Sequence, residues 1–194
     1  MAALPDRSWP SVEAVHLRDR HDISSDYFYP PASTVAHVAR LRPRMQELLC
    51  DSLDACELAA ALEGLAAVAG TLEVLDLDLY PMTDDYTDDA ENLINSTMPR
   101  AVEALTRLSS LRRLSVYWEH DALRLLAPAL PALASLTSLV FVGGEQWERA
   151  QPQQQQLDLQ PGSLRELTLT CQETLHGLRA MPRLDGVTKL SVAR

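Results

Sequence analysis

The sequence predicts an α/β chain wound as a coil of repeated units, each a short strand with a helical return. Two observations predict it. The first is a recurring pattern along the 194 residues: a small polar residue, then apolar residues at the first, fourth and sixth places. It is sharpest at Ser110-Leu111-Arg112-Arg113-Leu114-Ser115-Val116. It returns at Thr71-Leu72…Leu75…Leu77, Ser135-Leu136…Leu139…Phe141 and Ser163-Leu164…Leu167…Leu169. Looser copies run Ser11-Val12…Val15…Leu17, Gly186-Val187…Leu190…Val192 and Met45…Leu48…Cys50. The starts at Val12, Met45, Leu72, Leu111, Leu136, Leu164 and Val187 lie 33, 27, 39, 25, 28 and 23 residues apart, in the range where a period marks a solenoid. The second is a change of spacing inside each unit, from three upstream to two at its end.

The ending apolar-x-apolar (Leu75 and Leu77, Leu114 and Val116, Leu167 and Leu169) puts two side chains on one face of a strand. Asp76, Ser115 and Thr168, between them, then point the other way. Upstream, Leu105, Leu108, Leu111 and Leu114 keep a spacing of three, as do Leu130, Leu133, Leu136 and Leu139, and the run from Leu175 to Leu190. That spacing fits a helical or 3-10 segment leading into the strand. One such unit cannot cover its own apolar edge, so stacked neighbours must do so.

The pattern resembles the leucine-rich-repeat family, whose core is L-x-x-L-x-L-x-x-N/C-x-L. The resemblance spans residues 1–194 as one domain of about seven irregular repeats. It implies a curved parallel sheet on the concave face and helical or 3-10 returns on the convex face. Trp9-Pro10-Ser11-Val12-Glu13-Ala14-Val15-His16-Leu17 is similar to the repeat portions of F-box-type substrate adaptors, although no F-box helices precede it. The chain departs from the family at the ninth place, which reads Arg20, Leu53, Tyr80, Glu119, Gly144 and Gln172. The buried Asn ladder of the family is therefore missing. An array that begins and stops within its pattern predicts a fragment of a longer array, or ends that other chains cover.

Composition narrows the function. Hydrophobic residues make up 46%, enough for a core, while aromatics are only 5%, as repeated Leu slots require. Cys50, Cys56 and Cys171 form no C-x-x-C and cannot pair evenly, which favours a reducing, intracellular and cytoplasmic setting. The opening residues show no signal peptide. The 21 residues from Ala122 to Val142 carry one charge, Arg124, but Pro128 and Pro131 interrupt them and their leucines keep the repeat register, so no membrane span is read. Net charge is −10, and it is uneven: residues 1–97 carry −12 and residues 98–194 carry +2. Between Arg44 and Arg100 stand 13 Asp or Glu and no Lys or Arg. Such a surface repels phosphate backbones, which argues against a nucleic-acid partner.

In chain order, Tyr27, Phe28 and Tyr29 fall in a loop over 21–34, read as a lid on the first repeat or a binding loop. A helix follows from about Thr34 to Leu41. Asp54 and Glu57 form a capping-box pattern opening an alanine-rich helix over 54–69, with Gly70 as its C-cap. Residues 80–100 are an acidic insertion. Its Asp84-Asp85-Tyr86-Thr87-Asp88-Asp89 lacks the spacing and glycine of a calcium loop, and a helix from about Thr87 to Leu108 is expected, interrupted near Pro99. Asn95-Ser96-Thr97 matches a glycosylation acceptor but belongs to that helix. Residues 145–160 form a polar, Gln-rich loop.

No catalytic or metal pattern is present: the five histidines make no H-E-x-x-H or zinc spacing, and no G-x-S-x-G or glycine-rich phosphate loop occurs. Cys171 and His176, five apart across a strand exit, read as structural or incidental, and Glu119-His120-Asp121 as polar residues of a turn. No enzyme and no cofactor is read. Binding is expected on the outward columns of the sheet. The central column is His16, Leu49, Asp76, Ser115, Val140, Thr168 and Ser191. The next is Arg18, Asp51, Asp78, Tyr117, Val142, Thr170 and Ala193, and a third holds Arg113, Ser138, Glu166 and Lys189. Candidate partner-binding residues are Asp51, Asp76, Asp78, Ser115, Tyr117, Trp118, Thr168 and Thr170. Acidic residues beside aromatics suit a protein partner with a basic contact surface. The expected function is a non-catalytic interaction module. The alternatives are a structural subunit of a larger assembly or the substrate-recognition part of a ubiquitin-ligase adaptor, and weakest of all an enzyme holding a metal in the acidic insertion.

Overall fold

The computed structural model describes residues 12–17, 30–80, 88–118, 127–143, 163–170 and 187–193. The fold is α/β with a single parallel sheet. Its strands, β1 (Ala14–Leu17), β2 (Glu47–Asp54), β3 (Val74–Tyr80), β4 (Arg113–Trp118), β5 (Ser138–Gly143), β6 (Glu166–Thr170) and β7 (Lys189–Ala193), lie side by side in chain order. Parallel neighbours need a crossover. The described crossovers carry helices α1 (Ala32–Leu41), α2 (Leu58–Gly64) and α3 (Asp88–Thr106), with 3-10 turns at Ala55–Glu57, Leu65–Val68 and Ala127–Ala132. No helix among the described residues is long and apolar enough to cross a membrane.

The inward leucines form continuous rows. Val15, Leu48, Leu75, Leu114, Leu139, Leu167 and Leu190 are successive register partners across the strands. Leu48, Leu75, Leu114, Leu139 and Leu167 are fully buried, and so are Met45, Leu72, Leu111 and Leu136 at the first place of the pattern. Each buried Leu contributes about 1.5–3 kcal/mol of transfer free energy. The helices add Val35 and Ala39, Leu58 and Leu62, and Ile94, Met98 and Leu105 to the same core. The three-residue ladder is also real: Leu105, Leu108, Leu111 and Leu114 are buried in sequence, as are Leu130, Leu133, Leu136 and Leu139.

The small polar residue that opens the pattern has a physical task. Thr71 Oγ1 donates to the Met45 carbonyl at 3.0 Å, Ser110 Oγ to the Gly70 carbonyl at 2.9 Å, and Ser163 Oγ to the Leu136 carbonyl at 2.6 Å. Each hydroxyl ties its unit to the preceding one. Beside this ladder, one carbonyl per unit accepts from two successive N–H groups of the next. The Glu73 carbonyl, for example, takes Arg112 N and Arg113 N at 2.8 and 2.9 Å, and Gln46, Arg112, Thr137 and Arg165 repeat the arrangement. The hydroxyls of Thr71, Ser110 and Ser163 thus satisfy carbonyls of the preceding unit.

Several local expectations are corrected. The helix expected from Thr34 begins at Ala32, whose N–H donates to Glu57 Oε2 at 2.6 Å. Glu57 therefore caps α1 and does not reach back to Asp54. Asp54 accepts from Cys56 N, so only half of the capping box forms. Gly70 is not left-handed, and the turn closes because Thr71 N and Leu72 N both donate to the Val68 carbonyl. Pro99 does not interrupt α3, which runs unbroken to Thr106. The ring of Pro99 faces solvent, the Ser96 and Thr97 hydroxyls bond the Leu93 and Ile94 carbonyls, and buried Ile94, Met98, Ala101 and Leu105 hold the helix down. Asn95 is accordingly helical.

Gly64, at the end of α2, is fixed by close approach. A Cβ there would meet Ala36 Cβ at 2.6 Å and Ala36 Cα at 2.8 Å, so α1 and α2 touch backbone to side chain at this point. Most of the 21–34 loop, residues 81–87 of the acidic insertion, Glu119-His120-Asp121, the Gln-rich loop, Cys171 and His176 lie outside the described residues.

Candidate functional site

The face of the sheet opposite the core carries the candidate site, and alternation along each strand decides who stands there. The central column is in register as expected: His16, Leu49, Asp76, Ser115, Val140, Thr168 and Ser191 are successive partners. In the next column Asp78, Tyr117, Val142, Thr170 and Ala193 are partners. The third, Arg113, Ser138, Glu166 and Lys189, is also aligned, with Lys189 Nζ 3.8 Å from Glu166 Oε1.

Asp51 departs from its column. Cys50 pairs with Leu77 but Leu53 pairs with Leu79, so β2 holds one residue more than β3 between these points. The bulge contains Ser52 in the left-handed region at φ 60°, which costs a non-glycine residue roughly 1–2 kcal/mol. Asp51 Oδ2 lies 3.0 Å from Nε2 of His16, on β1. Trp118 is not a surface residue. It follows Tyr117 and alternates inward beside Leu79, 3% exposed, as part of the core. Ser115 holds an outward register position yet is 0% exposed, and its hydroxyl makes no hydrogen bond among the described residues. Thr168 is half-buried between Val140 and Ser191, and Thr170 is placed by its backbone register alone.

The electrostatics separate the three aspartates. Asp78 is held above the ordinary carboxylate value of 3.8, first by burial, then by Asp51 and Asp76. Asp76 is raised by burial and by Asp51, but Arg113, His16 and the Ser115 hydroxyl pull it back. The Ser115 oxygen is therefore near this carboxylate while falling short of hydrogen-bond geometry. Burial raises Tyr117, with Asp76 and Asp78 pushing the same way and Arg113 opposing. These couplings show Asp51, Asp76, Asp78 and Tyr117 as one connected group, joined by His16 and Arg113. The last two were legible as column members, but not as counter-charges, because their reach depends on side-chain direction.

Chemically, the arrangement is a half-desolvated anionic surface bordered by a phenol ring and the apolar Val140 and Val142. It suits a cation carried on an apolar stem. Among the described residues no group of three or more His, Cys, Asp or Glu is placed to hold a metal ion. Comparison with protein-family models, with curated proteins and with solved structures returns no match.

Proposed function

We propose that the chain is a leucine-rich-repeat solenoid acting as a non-catalytic protein-interaction module. Its partner docks on the outward, concave face of the sheet and brings a basic contact surface. The observation that carries this reading is the row Asp78, Tyr117 and Val142, in register on β3, β4 and β5 beside Asp76. Polar outward residues that only face water would not be held half-desolvated against like charges, whereas a docking surface for cations would be. The buried and half-buried thiols of Cys50 and Cys56, both free, support an intracellular, cytoplasmic setting.

A photo-reactive side chain tests the reading. Placed at Val142 in cells producing the full chain, it should give a discrete protein adduct that fades at high salt and disappears with Asp78→Lys. Placed at exposed Glu103 on α3, it should give none. Adducts from Glu103 alone, or a Val142 adduct indifferent to Asp78→Lys, would refute it.

A further inference from the structure

We draw no further inference here: the strongest candidate, the edge of β1 away from β2, where Val15 and Leu17 stand half-buried at the end of the inward rows, carries nothing because nothing among the described residues shows what covers it.

Discussion

Asp78→Asn should make the protein more stable at neutral pH. Asn is nearly isosteric, keeps the outward position and cannot ionise. Because the folded chain holds the Asp78 proton more tightly than the unfolded chain does, the stability contributed by this group falls as pH rises from 3.8 through its raised folded value. Asn escapes that loss. The carboxylate is half-buried and keeps part of its hydration, so screening limits the gain to below about 1 kcal/mol. For a chain of this size that is a rise in Tm of about 1–3 °C at pH 7. Calorimetric melts of the two proteins from pH 7 to pH 3.5 should draw together at the acid end, where Asp78 is mostly protonated in both states. Asp76→Asn should gain less, since Arg113 and His16 already ease that carboxylate. A lower Tm for Asp78→Asn at pH 7, or a gain that persists unchanged at pH 3.5, would mean that Asp78 is a satisfied structural residue.

Leu114→Ala should cost about 3 kcal/mol in urea unfolding, because this fully buried side chain sits between Leu75 and Leu139 in the row, whereas half-buried Val15→Ala on the edge strand should cost about 1 kcal/mol or less. Equal costs would show that the units do not stack as a continuous core. Gly64→Ala should lower Tm, with overpacking against Ala36 costing about 1–3 kcal/mol, although helix propensity alone predicts the opposite sign. Gly70→Ala, with open space around it, is the neutral control. The Cys50 thiol is pushed up to about 12 by burial, then by Asp51 and Asp78. Alkylation followed by peptide mass spectrometry at pH 8 should therefore label Cys50 only in denaturant. Labelling of native protein would contradict its place in the core.

The sheet was legible because its signal is periodic. A row such as Leu75, Leu114, Leu139 and Leu167 needs only the spacing of three and then two, and each outward column follows from the alternation. Trp118 shows the same rule misapplied. Sequence adjacency suggests an aromatic pair with Tyr117, but adjacent strand residues face opposite sides and Trp118 fills the core beside Leu79. Contacts between distant units were not legible. Nothing near Glu57 in sequence announces that it caps α1, 25 residues upstream, so the local capping box looked complete. Propensity alone makes Pro99 a helix breaker, and the buried face of α3 outweighs it.

The bulge joins the irregularity of the fold to the chemistry of the site. A serine in left-handed backbone carries no sequence signal, since Gly or Asn is the residue that usually marks such a position. Its consequence is nonetheless specific. The extra residue at Ser52 takes Asp51 out of simple register with Asp78, and the Asp51 carboxylate meets His16 on β1. Asp51 remains close enough to raise both Asp76 and Asp78, while its own carboxylate faces the His16 ring. Arg113 lies at the opposite end of β4 from Trp118, pairs in register with Val74, and eases Asp76 rather than Asp78. Among the described residues, one inserted residue and the spacing of one strand therefore set Asp78 apart from both His16 and Arg113, beside Tyr117 in the same outward row. A regular β2 would have placed Asp51 and Asp78 level, spreading that charge evenly over two strands.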